Sequence, residues 1–248
     1  VPKPRAIVGE GYARFARISN FVTNSLITFG LWGLVGSTKI PAHVDVPLHG
    51  SAIVLQSPEF GDDAVAVEDG LPVMVFSHGM ASSRTQYTQY VGELASRGFV
   101  VAAIEHRDGS GPGTQVIKHG KPHRTLLHFD VRHLTADSVL DGDAFKQAQL
   151  DFRQAEVEET VGVLNQINYG AGAEIFESNS RREGQHLHHW EGRLAIQNAT
   201  IGGHSFGATL AVSSVSLPSD TANTRQLQTL KNGPSKYLPF QGAVVLDP

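Results

Sequence analysis

The segment Ile201-Gly202-Gly203-His204-Ser205-Phe206-Gly207-Ala208 constrains this chain more than any other. It sets Gly-x-Ser-x-Gly between Ala199-Thr200-Ile201, the end of an apolar stretch, and the small-residue run Ala208-Thr209-Leu210-Ala211-Val212. A buried strand that turns at once into a helix packed close to a sheet satisfies that order. Gly203 and Gly207 suit so sharp a turn, because side chains there would collide across it. The serine between them is expected to hold its Oγ out of the sheet, as a nucleophile does at such an elbow. The pattern is short, so the flanking strand and helix carry the reading.

The rest of the chain fits the same frame. Leu71-Pro72-Val73-Met74-Val75-Phe76 reads as a central strand running into the loop Ser77-His78-Gly79. Tyr87 to Ser96 reads as a helix, with Tyr90, Val91 and Leu94 on one side and Gly98 just past its end. Phe99 to Ile104 is a second buried strand. This strand–helix–strand unit requires parallel neighbours. Gly109-Ser110-Gly111-Pro112-Gly113 lacks the spacing of a phosphate cradle and is expected to be a plain loop on the active-site side. Phe152 to Asn168 reads as a long helix, with Val157, Val161, Leu164 and Ile167 as its apolar stripe and Glu156, Glu158 and Glu159 facing water. Glu174 to Gln197 is polar and expected to be irregular. Gly242 to Leu246 is a third apolar strand, ending in Asp247-Pro248. The alternation predicts an α/β fold, a mostly parallel central sheet with helices on both faces. Chemistry then gathers at the carboxyl ends of the strands. Ser77-His78-Gly79, Glu105-His106, Ser205 and Asp247 all fall at such ends.

The length, 248 residues, fits one domain over 1–248. A net charge of −4 points to neither a nucleic-acid footprint nor a general attraction to anionic membranes. The absence of cysteine excludes disulfides, a cysteine nucleophile and thiolate metal sites. His186-Leu187-His188-His189 has no conventional metal-ligand spacing and reads as surface or packing residues, so no metal is expected. The sequon Asn198-Ala199-Thr200 leads into the elbow strand and reads as a coincidence. The chain opens at Val1 without a signal-peptide pattern, so a trimmed start is expected. No charge occurs between Arg17 and Lys39. The run Phe21 to Val35 within that gap is too polar for a membrane span. Two readings stay open: core packing, or interfacial docking through Phe29, Leu31, Trp32, Leu34 and Val35.

A serine hydroxyl needs a base to take its proton, and the base needs an orienting acid. In this fold class the order along the chain is serine, acid, histidine. Asp247, 42 residues after Ser205 and just beyond a buried strand, suits the acid. No histidine follows His204; the other eleven of the 12 precede the elbow. His204 is expected to pack against the sheet, His78 to shape the loop after the first strand, and His106 to join a polar network. The catalytic histidine is therefore expected outside this chain, on a missing C-terminal segment or a second polypeptide. Two main-chain donors would stabilise the oxyanion: the N–H of Phe206 and the N–H of Met80. These residues by themselves reach a serine ester hydrolase and no further. A broader carboxylesterase, lipase or polyester hydrolase stays open on the same fold. So does a catalytically silent hydrolase-fold binding protein.

Four stretches resemble the platelet-activating factor acetylhydrolase family, of the plasma and type II kind, within the α/β-hydrolase superfamily. They are Val75-Phe76-Ser77-His78-Gly79-Met80 with Arg84 and Tyr87; Gly98 to Asp108, ending Glu105-His106-Arg107-Asp108; Gly203-His204-Ser205-Phe206-Gly207; and Val244-Val245-Leu246-Asp247-Pro248. Ala208 stands where the family often has a second glycine. The resemblance implies an α/β-hydrolase fold. It also implies removal of short or oxidised sn-2 acyl groups from phospholipids through an acyl-enzyme on Ser205, with no cofactor. It places a lipoprotein- or membrane-docking helix near Phe21 to Val35, and a histidine several dozen residues beyond the acid. It implies an extracellular setting, with the cytoplasm as the alternative.

Overall fold

A computed structural model describes residues 5–48, 70–118, 120–134, 141–215 and 238–247. Pro248 and most of the segment between Leu48 and Leu71 lie outside the described residues. Four strands form one sheet: β1 (Leu71–Ser77), β2 (Val100–Ala103), β5 (Leu194–His204) and β6 (Phe240–Leu246), in the order β2-β1-β5-β6. All three pairings are parallel. Pro72 has no N–H to give a ladder, and the β1–β5 register shifts between Pro72 and Met74.

Parallel strands need crossovers, and helices supply them. α3 (Thr88–Ser96) links β1 to β2, following a single tight turn at Arg84–Tyr87, and α6 (Phe206–Val215) leaves the end of β5 directly. α4 (Gly142–Gln166) packs against β1, β5 and α6. The core lies between these elements. Val73, Val75, Leu194, Ile196, Ala199 and Ile201 from the sheet meet Val157, Val161 and Leu164 of α4 and Leu210 and Ala211 of α6. Burial of this continuous apolar surface is the main force holding the helices to the sheet. This architecture is the α/β-hydrolase arrangement that the sequence predicts.

The Gly/Pro-rich segment is a loop through Pro112, as expected, and β3 (Gly113–Val116) starts at its last glycine and pairs antiparallel with β4 (Arg124–Leu127). Two expectations about secondary structure need correction. α4 starts ten residues earlier than Phe152, where the Asp141 carboxylate accepts from the N–H of Ala144 at 2.7 Å and caps the helix. The polar stretch after it contains α5 (Gly172–Ser178), a short turn at Leu187–His189 and the first residues of β5.

α1 (Arg5–Phe15) packs on α2 (Phe21–Val35). Asn20 and Thr23 start α2 with a reciprocal capping box. No residue of α2 is buried, which overturns the core-packing reading of this run. Phe29, Trp32, Leu34 and Val35 are exposed, Leu34 to 85%, and Leu31 is half-buried. No helix among the described residues is long and apolar enough to cross a membrane.

Candidate active site

β5 ends at His204 and α6 begins at Phe206, so Ser205 alone makes the turn. Its φ is +52°, a left-handed conformation that costs a non-glycine residue strain. The backbone pays that cost because both flanks are locked. A Cβ at Gly203 would lie 2.0 Å from the Gly207 carbonyl oxygen, and one at Gly207 would lie 2.2 Å from that of Ser77. The Ser205 N–H donates to the carbonyls of Leu246 and Asp247, at 3.0 and 3.1 Å. The turn is thereby tied to the end of β6. The first N–H groups of α6, starting with Phe206, have no acceptor inside the helix.

The loop after β1 runs beside this turn. A Cβ at Gly79 would be 3.2 Å from Ser205 Cβ. The N–H of Gly79 donates to the Tyr87 hydroxyl at 3.2 Å, and that of Ala81 to the Ser110 carbonyl at 2.8 Å. Between them, Met80 N–H has no partner among the described residues. The loop that carries Gly79 and Met80 thus lies beside the turn between Ser205 and Phe206.

Beneath the loop lies a buried polar network. The Ser77 hydroxyl and His106 Nε2 are 2.8 Å apart, and His106 Nδ1 and Glu156 Oε2 are also 2.8 Å apart. The carboxylate accepts from Nδ1–H, so Nε2 accepts from Ser77. This is a serine–histidine–acid relay, but Ser77 and the His106 side chain are fully buried. Its hydrogen bonds join the end of β1 to α4 through His106. His78 is buried beside it. Its Nε2 accepts from the His106 N–H at 3.2 Å and its Nδ1–H donates to the Gly79 carbonyl at 2.9 Å. Burial, followed by the neighbouring His106 and Arg153, pushes the His78 pKa down to about 3, so the ring is neutral. Burial also lowers His106, against the opposing pull of Glu156.

Arg153 and Asp108 complete the network at 2.7 Å, both side chains fully buried. Burial alone would raise the Asp108 carboxyl. The Arg153 guanidinium and the Ser110 hydroxyl and N–H outweigh it and hold the group below the usual carboxylate range. Glu105, by contrast, is pushed up by burial, although Arg84 partly opposes that.

His204 takes a different place from either buried histidine. The Tyr87 hydroxyl, which accepts from Gly79, donates to His204 Nδ1 at 2.8 Å. His204 Nε2 lies 3.8 Å from Asp247 Oδ2. Both ring nitrogens face groups other than Ser205, and no described histidine hydrogen-bonds Ser205 Oγ. Asp247 also has a positive φ, +43°, and its carboxylate is 91% exposed at the carboxyl end of β6. His188 and His189 pack ring to ring, 3.8 Å between centroids. Among the described residues, no group of acidic and histidine side chains could hold a metal ion.

The structure therefore brings Ser205, Phe206, Met80 and Asp247 to one end of the sheet and leaves Phe29, Leu31, Trp32, Leu34 and Val35 on a separate helix. It corrects Glu156, expected in water, to a buried partner of His106 and Arg107. Glu158 and Glu159 are exposed as expected. The sequence reading missed Arg153 and Gln149. Stepping back by four from Val157 along the apolar stripe reaches Arg153 and then Gln149, so the inward face simply turns polar.

The family profile described as platelet-activating factor acetylhydrolase, isoform II, matches residues 29–248. A platelet-activating factor acetylhydrolase of Cavia porcellus is 27% identical over 188 residues, 74% of this chain and 36% of that protein. One from Gallus gallus is 29% identical over 151 residues, 58% of this chain and 35% of that protein. A putative phospholipase A2 of Schizosaccharomyces pombe is 33% identical over 101 residues, 40% of this chain and 22% of that protein. The chain thus matches between about a fifth and just over a third of the length of these curated relatives.

Proposed function

The chain belongs to the platelet-activating factor acetylhydrolase, isoform II, family, and from that membership we propose that it is the serine ester hydrolase part of a phospholipid acyl hydrolase. The substrate class is a glycerophospholipid with a short or oxidised sn-2 acyl group. The observation that carries the reading is Ser205, strained at the β5–α6 turn beside the loop that follows β1. The names of the relatives, a platelet-activating factor acetylhydrolase and a putative phospholipase A2, support the phospholipid.

In this reading Ser205 Oγ attacks the ester carbonyl as its proton passes to a histidine. The carbonyl oxygen becomes an oxyanion held by the N–H groups of Met80 and Phe206. Collapse expels the alcohol of the lysophospholipid, which takes up the histidine's proton, and leaves an acyl-enzyme on Ser205. Water then repeats the attack and frees the acid. Asp247 orients the histidine and stabilises its charged form.

The base itself is proposed to come from outside the sequence described, either further along the same polypeptide or from a second one. The engagement of His204 by Tyr87 and Asp247, and the burial of His78 and His106, support that assignment. α2 is proposed as the face that meets the lipid surface. Its uncharged length and the exposed Phe29, Trp32, Leu34 and Val35 support this.

The test is hydrolysis of a short-chain sn-2 phospholipid by the full-length protein. Turnover that disappears in Ser205→Ala supports the proposal. Turnover of simple esters with none of phospholipid would favour the broader carboxylesterase, and no turnover of either would favour a silent binding protein.

A further inference from the structure

We propose that Arg153 is a positioning residue that holds both walls of the oxyanion hole in register, an inference that rests on the esterase reading above. Arg153 lies on α4, fully buried, and its planar guanidinium makes a different contact on each edge and on its face. Nε donates to Asp108 Oδ2 at 2.7 Å. Nη1 donates to the His78 carbonyl at 2.7 Å and reaches the Ser77 hydroxyl at 3.3 Å. Nη2 donates to the Ser110 hydroxyl. The face of the cation covers the Phe206 ring, 4.6 Å from its centroid.

Those contacts fall on the two segments that carry the donors. The His78 carbonyl begins the peptide leading through Gly79 to Met80. Phe206 follows Ser205 and carries the other N–H. One rigid side chain therefore couples the loop after β1 to the start of α6, two segments about 130 residues apart in sequence. The Asp108 carboxylate fixes where the guanidinium sits, and Ser110 ties Asp108 back through its N–H at 3.0 Å. On the other side of the loop, Tyr87 holds the Gly79 N–H. The loop is thus clamped at consecutive residues, His78 from α4 and Gly79 from Tyr87, immediately before Met80.

Oxyanion donors work only when aimed at the position the charge will occupy, and a misplacement of roughly 1 Å costs about 100-fold in rate. Because the oxyanion exists in the transition state and not in the bound ester, a positioning residue for this hole moves kcat and spares KM. Lysine retains the charge but cannot supply the fork or the stacking face.

The experiment is steady-state hydrolysis of p-nitrophenyl acetate by the full-length parent protein, Ser205→Ala, Arg153→Lys and Phe206→Leu. Each variant is first shown to melt cooperatively. Arg153→Lys is expected to lower kcat about 100-fold with KM within about twofold. Phe206→Leu, which removes the ring without uncovering the buried charge, is expected to lower kcat about tenfold with KM again unchanged. An active parent, a dead Ser205→Ala and a folded Arg153→Lys or Phe206→Leu with unchanged kcat would overturn this inference and leave the esterase reading standing. So would a rise in KM at constant kcat. If Arg153→Lys does not fold, Phe206→Leu decides. An inactive parent would remove the esterase reading and this inference together.

Discussion

The backbone N–H of Ser205 donates to the carbonyl oxygen of Asp247 at 3.1 Å. The proposed nucleophile and the proposed acid are therefore joined through the main chain, before any histidine is considered. β5 and β6 run parallel, with His204 opposite Leu246, so both residues leave the sheet at the same level. Each does so with a positive φ.

Ser205→Ala is expected to lower ester turnover by at least about 10⁴-fold, and Asp247→Asn by about 10⁴-fold, without loss of the folded state. The asparagine keeps the shape of the acid but cannot stabilise a charged imidazole. Steady-state kinetics beside circular dichroism checks this. Parent-like turnover in either variant would refute its role.

Tyr87→Phe removes a hydroxyl that serves both Gly79 N–H and His204 Nδ1. The unpaired N–H is expected to cost about 1–3 kcal/mol of stability. Loosening of the loop at Gly79 should also lower kcat, by about tenfold. Urea unfolding and kinetics on a soluble ester measure the two effects separately. A variant equal to the parent in both would show that the hydroxyl holds nothing.

Stability should fall as the solution is acidified. His78 titrates near 6.5 in the unfolded chain but at about 3 when folded, so between these values the unfolded state binds more protons. Stability therefore rises with pH through that window and is flat above it, with a slope of up to about 1.4 kcal/mol per unit for one such histidine. His106, also lowered, adds to the slope with the same sign. Glu105, raised by burial, works in the opposite direction once the pH falls through its folded value. Urea midpoints are expected to be constant above pH 7 and to drop between pH 6 and pH 5. A midpoint that rises over that interval would contradict the buried neutral histidines.

Trp32→Ser combined with Leu34→Ser is expected to weaken partitioning onto phosphatidylcholine vesicles by about tenfold or more, with p-nitrophenyl acetate turnover unchanged. Both side chains are exposed on α2, 59% and 85%, outside the catalytic elements. Vesicle sedimentation measures it. Partitioning equal to the parent's would rule out this face as the lipid contact.

The elements that were legible in the sequence are those with one continuous local signal. β1, β2 and β6 are short apolar runs, and the elbow has glycines that its geometry demands. The polar inward face of α4 was not legible, because Gln149, Arg153 and Glu156 stand there in place of leucines. Burying them is favourable only through partners that lie far away in sequence: Asp108, His78 and His106. A single helix carries no sign of those partners, so Glu156 read as a solvated charge. The β3–β4 hairpin was hidden for a similar reason. Its strands are four residues each and pair only with one another.

The most direct test of the central claim is mass spectrometry of the full-length protein after reaction with a serine-directed fluorophosphonate. One adduct is expected, on the peptide that carries Ser205, absent in Ser205→Ala. An adduct on a different serine, or none from a folded protein, would contradict it.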